Sequence, residues 1–434
     1  TEEEMVKPGT ASAPLVREFT SLQDSYEFIL NECSAEFIGH HPVDESFLSW
    51  FAANYGDDTL LAVAGEVVDN DPEYWFLNTG KSIHVLWTEY CMTTGIEAYE
   101  LQNTYFPETA SPDSLTIEVS GDVNLGEHIA TTEFMLTQEN GILDCFSPEL
   151  LSEMESADVL MLNNEYTYTT RGEAIPGKTY TFRAAPQMVD ELFKLGCDIV
   201  NVANNHVYDY GEIGLLDTLD TLNNAGMPFV GAGHNIDEAS KIIYYVAAGR
   251  KIALVSATQI ERTYAYTKEA TETEAGVLKT LHPERYCQVI NKAAKNADVV
   301  VAIVHWGTEG NIAYGNDQVN LAEAFIDAGA DVIVGGHTHC LQAVEYIRDV
   351  PVYYSLGNYW FATTSEMPAA YDTGLAKLVI GSDCSVSCGF VPCRFVDGVT
   401  SLVTDPEGRT AEFGFLNELS STATIDENGN ITHR

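Results

Sequence analysis

DIVNVANNHVYDYGEIGLLDTLDTLNNAG, residues 198–226, reads as one strand, one polar turn and one helix. Asp198–Ala203 is a short apolar run of the kind a buried strand uses. Asn204, Asn205 and His206 follow at its carboxyl end. Leu216, Leu219 and Leu222 then recur at helical spacing, and Gly226 supplies the stop. A strand feeding directly into a helix is the building unit of an α/β fold with buried, largely parallel strands.

The pattern repeats on both sides. Leu115–Val119, Asp158–Asn163, Asp298–Trp306, Asp331–Gly336 and Pro351–Gly357 are further β-rich runs. Between them, Met188, Leu192 and Leu195 line a helix stopped by Gly196, and Leu321, Phe325 and Ala328 line another stopped by Gly329. Ile242–Ser256 breaks the rhythm and reads as an antiparallel hairpin turning at Gly249, so the sheets are mixed. The expected fold is α/β: a sandwich of two mixed sheets, helices outside, spanning 115–400.

Each strand end carries a group able to bind a cation. Asp122 and Asn124 follow the first run, and Asn164 and Glu165 the second. Asn205 and His206 follow the third, His305 and Glu309 the fourth, and His337 and His339 the fifth. Ligands of open α/β sheets bind beyond the carboxyl ends of the strands. Taken singly, these residues have plain readings: Asn204 and Asn205 as an Asx turn, Asp122 as a helix cap, each His as a loop residue. Together, carboxylates, imidazoles and a carboxamide suit two divalent ions about 3.5–4 Å apart, with Mn, Fe or Zn fitting the donors. The alternation of His337 and His339 places both on one side of an extended segment.

Composition narrows the partners. The 434 residues carry 21 Lys and Arg against 65 Asp and Glu, a formal net charge of −44. Such a chain has no basic stripe for nucleic acid and is repelled by anionic lipid. No apolar run is long enough for a membrane-spanning helix. Nine scattered cysteines without a CxxC pair argue for buried thiols, with one bridge among Cys384, Cys388 and Cys393 as the alternative. Residues 1–14 read as a polar linker from which a signal or anchor has been removed. Residues 15–106 read as a helical accessory domain: Leu22, Tyr26 and Ile29 share helical spacing, Asp44 or Ser46 caps a second helix, and Gly95 ends a third. Pro107–Ser114 has linker chemistry, 401–434 reads as a C-terminal extension, and its end, 420–434, reads as an exposed, turn-rich tail.

Six motifs carry a family resemblance: SGDVNLG (120–126), LNNE (162–165), the 202–233 block, HWGTE (305–309), GADVIVGGHTHCLQ (329–342) and YSLGNY (354–359). Between about Ser114 and Ile380 the chain resembles the CapA/PgsA family of poly-γ-glutamate capsule biosynthesis proteins, and more distantly the calcineurin-like metallophosphoesterases. The resemblance implies an extracytoplasmic, envelope-associated protein acting on an anionic polymer or its precursor beside other capsule synthesis proteins. It implies Asp122, Glu165 and His339 as ligands of a first ion, and Glu165, Asn205, His305 and His337 of a second. His206 would be the general acid. Asn124 stands where the phosphoesterases have His, and Glu165 where they have a bridging Asp, so the first site is expected to be the weaker. Arg171, Lys178 and above all Arg183 are the expected anion contacts. Two rivals to a metal-dependent hydrolase or transferase are a non-catalytic capsule assembly factor and a phosphoesterase unrelated to capsule.

Overall fold

Strands apolar at consecutive positions need cover on both faces. In the computed structural model, which describes residues 21–32, 43–66, 73–96, 99–263, 265–362 and 372–434, they have it. The leading linker expected at 1–14 and Cys33 lie outside these residues. Alternate side chains of one strand serve two cores. Val299, Val301 and Ile303 pack between the sheets with Ile117, Val119 and Met161. Val300, Ala302 and Val304 pack outward, against Tyr286, Ile290 and Phe325 of the helices Glu284–Ala294 and Asn316–Asp327. On the outer face of the other sheet, Leu160 and Leu162 meet Leu192, Leu215, Leu219 and Leu222.

Among the described residues the larger sheet has ten strands. Its main path runs Ala423–Ile425, Asn430–His433, Val386–Val396, Asp372–Gly381, Ser114–Val123, Val159–Asn164, Ile199–Asn201, Phe229–Val230. The last four run parallel, and Asp372–Gly381 is antiparallel to Ser114–Val123. The seven-stranded sheet runs Thr104–Tyr105, Ile243–Ala247, Arg250–Thr258, Val299–His305, Val332–Gly336, Val350–Tyr353, Val344–Ile347. Four of these, from Arg250–Thr258 to Val350–Tyr353, are mutually parallel, and Ile243–Ala247 forms the expected antiparallel hairpin with Arg250–Thr258. Two mixed sheets face to face, with helices outside, are the expected architecture.

The chain divides into two units, Thr1–Ala98 and Tyr99–Arg434. The division precedes the Pro107–Ser114 stretch, because Thr104–Tyr105 pairs in parallel with Ile243–Ala247. The described part of the first unit is helical: Leu22–Glu32, Glu45–Tyr55, Asp57–Glu66, Glu73–Thr79 and Ile83–Thr94. Asp44 caps the second helix by accepting from Phe47 N–H at 2.8 Å, and Gly95 ends the last with φ of 72°. Phe47, Phe51 and Trp75 fill its core, ring centroids 5.2–6.4 Å apart.

The end of the 401–434 extension, residues 420–434, is not the exposed tail its turn-rich composition suggests: Ala423, Ile425 and Ile431 are buried. Phe413 and Leu416 of helix Pro406–Leu419 sit in the inter-sheet core. Ala423–Ile425 pairs with Asn430–His433 across the expected turn, closed by Gly429 N–H donating to Asp426. Buried Glu345 accepts four hydrogen bonds from Ser421 and Thr422, pinning the segment. Cys388 and Cys393 carry buried free thiols, so the alternative of a bridge among the three C-terminal cysteines is not realised. Among the described residues no helix is long and apolar enough to cross a membrane.

Candidate metal centre

Parallel strands end on the same side, so the two sheets deliver five carboxyl ends to one rim. Ladder register then sets depth: Asp122 pairs with Asn163, Asn163 with Asn201, and His305 with Gly336. Asp122, Glu165, Asn205, His305, His337 and His339 are all buried in the resulting cleft. His337 and His339 reach it differently from expectation. Their backbones are left-handed, φ 94° and 58°, not extended, and their ring centroids lie 6.0 Å apart. Such conformations cost roughly 1–3 kcal/mol each and persist where the surroundings impose them. Here Gly310 N–H donates to Thr338 O at 2.8 Å, and His339 Nδ1 lies 2.7 Å from Asn358 Oδ1.

The donors form two groups joined by Glu165. Ligand atoms of Glu165, His305 and His337 lie within 4.8 Å of one another, and so do those of Asp122, Glu165 and His339. His305 Nε2 is 3.3 Å from Glu165 Oε1, 2.8 Å from Asn205 Oδ1 and 3.2 Å from His337 Nδ1. His339 Nδ1 is 3.1 Å from Asp122 Oδ2. Burial, with Asp122 and Glu309 nearby, pushes the Glu165 carboxyl well above its ordinary range. Burial pushes His305 down to about 3 and His337 well below its ordinary value, so both rings are neutral and keep a free lone pair. For Asp122, burial acts upward, but the hydrogen bond and charge of His339 outweigh it and hold the carboxyl low.

The residues present fit divalent cations. Both Glu165 oxygens and His305 Nδ1 are buried without a hydrogen-bond partner. A buried carboxylate left so is costly unless a cation completes it. The other expected candidates differ. Asn124 turns its Oδ1 back to Gly126 N–H at 2.8 Å, whereas Asn164 donates its amide to Tyr166 O at 3.0 Å and keeps a buried Oδ1 without a hydrogen-bond partner. Glu309 is exposed, on the wall of an adjoining cavity.

His206 faces that cavity. Its Nδ1 lies 2.7 Å from Asp209 Oδ2, and burial lowers its pKa while the Asp209 charge opposes the shift. Asp209 is itself fully buried, bonded to Lys178 Nζ at 2.5 Å and to Phe182 N–H at 2.6 Å. The three expected anion contacts all have acidic partners: Lys178 with Asp209 and Glu261, Arg171 with Asp217, Arg183 with Glu127 at 2.5 Å. Sequence reasoning missed an asparagine ladder. Asn163 Nδ2 donates to Asp122 Oδ1 at 2.6 Å, while its Oδ1 accepts from Asn201 at 2.9 Å and Asn204 at 3.3 Å. The only signal was an Asn at or near the end of two neighbouring strands.

Residues 116–363 match the sequence profile of a family described as bacterial capsule synthesis protein PGA_cap. Similar to this chain are the capsule biosynthesis protein CapA of Bacillus anthracis, 30% identical over 67% of this chain and 70% of the relative, and the PGA biosynthesis protein CapA of Bacillus subtilis (strain 168), 32% identical over 58% and 65%. The chain thus spans a little under two thirds of the second relative. Among solved structures, the calcineurin-like phosphoesterase YfkN from Bacillus subtilis aligns over 70% of this chain and 97% of its own, at 17% identity and a TM-score of 0.35.

Proposed function

Because the chain belongs to the bacterial capsule synthesis protein family, we propose that it serves poly-γ-glutamate capsule synthesis at the cell envelope as a metal-dependent hydrolase or transferase. The observation that carries this reading is the pair of fully buried carboxylates, Asp122 and Glu165, with both Glu165 oxygens unpartnered beside the neutral rings of His305 and His337. Asp122, Glu165 and His339 would hold one divalent ion; Glu165, Asn205, His305 and His337 a second, with Mn, Fe and Zn matching these donors. Bound ions would supply Lewis acidity and a nucleophile at neutral pH. The chain supplies the rest. The Asn163 ladder fixes the Asp122 carboxylate, and Asp209 holds the His206 ring by Nδ1. That leaves His206 Nε2 to hand a proton to a leaving group on the cavity side. The substrate would be the anionic polymer or its precursor, in company with other capsule synthesis proteins.

One observation favours the rival reading of a non-catalytic assembly factor: Asn124 lends no oxygen to the cleft, which leaves the first ion three protein ligands. Incubating the manganese-loaded chain with phosphate esters and with γ-glutamyl peptides tests the two. The enzymatic reading expects turnover of one class, abolished by chelation. A fully loaded protein inert toward both classes would favour assembly.

A further inference from the structure

A cavity of about 420 Å³ opens beside the metal-binding cleft, and its chemistry is unlike that of a polyanion site. Ile129, Ala130, Tyr180, Phe182, Phe361 and Ala362 give it apolar walls. Its polar lining is His206, His339, Asn358 and Glu309. Among the described residues that line it there is no Lys or Arg, and the one carboxylate among them carries the sign of the whole chain. The walls join the two ends of the proposed chemistry. The Phe182 ring packs 4.6 Å from His206 and, edge-on, 5.5 Å from Phe361. Phe361 in turn packs 4.9 Å from His339. Tyr180, 62% exposed, stands at the mouth. A group filling this space is therefore joined to a centre lying between His206 and the ion held through His339.

We infer that the cavity receives an uncharged alkyl or aryl portion of the substrate, the part that departs on the His206 side, while the anionic centre faces the metals. This deepens the metal-dependent reading of the cleft and rests on it. A carboxylate placed in the cavity would lose water, meet no Lys or Arg among the described lining residues and face Glu309, so its burial is unfavourable. An aryl group loses only ordered water and gains ring edges, the usual character of a small-molecule pocket. The substrate class is thus an anionic ester or amide with an apolar leaving portion, and of the two substrates proposed above this selects a precursor over a bare run of γ-glutamyl units.

Calorimetric titration of the full chain with benzylphosphonate, methylphosphonate and γ-glutamylglutamate after manganese loading reads this directly. Burial of the ring should make benzylphosphonate bind roughly tenfold or more tighter than methylphosphonate. Phe361→Ala should erase that ratio. Tyr180→Ala, at an exposed position that does not threaten folding, should reduce it. Equal binding of the two phosphonates, or tighter binding of γ-glutamylglutamate, would overturn the inference. Its failure is separable from failure of the metal reading through a metal-free arm using 4-fluorobenzyl alcohol. Broadening of the fluorine resonance that Phe361→Ala removes supports the cavity even if no ion binds. An unbroadened line overturns it whatever the metal result.

Discussion

His206 and His337 are both buried in one cleft, yet their neighbours give them different work. His206 is held by Asp209 and Phe182 and faces the cavity; His337 lies against His305 with a neutral ring. His206→Ala should keep its metal content but melt lower, because buried Asp209 loses a partner, and should lose roughly 10²–10⁴-fold in turnover per folded molecule. His337→Gly should lose metal while its metal-free form melts no lower than the parent, because glycine relieves the left-handed backbone at φ 94°. Metal analysis, thermal melts and rates on both variants check this, and a His206→Ala protein that loses its metals would contradict it. The basic residues separate in the same way. Lys178 is 8% exposed between Asp209 and Glu261, whereas Arg171 is 60% exposed beside Asp217. Lys178→Met strands buried Asp209 and should cost about 3–5 kcal/mol of stability. Arg171→Met should cost about 1 kcal/mol or less in the same urea titration.

At the scale of elements, the cleft depends on how closely one strand end approaches a turn. Gly121 lies just before Asp122, and a Cβ there would meet Gly357 O at 2.1 Å. The same turn accepts Asp122 N–H at 2.9 Å. Gly121→Ala should therefore destabilise the fold by about 1–3 kcal/mol and lower metal content through displacement of Asp122; elemental analysis beside a thermal melt measures both. The strand ends themselves were legible in the sequence, because an apolar run that stops at Asp, Glu, Asn or His announces a place where polarity is wanted. Orientation was not legible. Nothing local to Asn124 says that its oxygen turns to Gly126, and nothing local to Arg183 says that Glu127, 56 residues earlier, neutralises it. The C-terminal strands were missed for a related reason. Ala423–Ile425 and Asn430–His433 are short, and their turn chemistry outweighs their apolar content until Val386–Val396 gives them an edge to pair with.

Over the whole molecule, acidity reaches inside the fold as well as over its surface. Burial pushes the Glu118 carboxyl up to about 8, despite Lys377 Nζ at 3.2 Å, and pushes Glu412 up to about 8 also. In the unfolded chain both ionise near the ordinary value of 4.5. The folded state thus holds protons that the unfolded state has released, and stability falls as pH rises from there toward 8. The contribution is complete below the unfolded value and gone above the folded one. The Glu118→Gln, Glu412→Gln double variant should flatten that decline. Urea unfolding of the metal-free chain at several pH values across this window would show it, and an unchanged slope would count against these two groups as its source. The central claim concerns the cleft itself, where two sheets bring a carboxylate from one strand end, a second from the next, and three imidazoles to within coordinating reach. Anomalous diffraction at the manganese edge, from crystals of the loaded chain, tests it most directly. Two peaks sharing Glu165, one beside Asp122 and His339 and the other beside Asn205, His305 and His337, are the predicted result; a cleft without an anomalous peak under saturating manganese would contradict it.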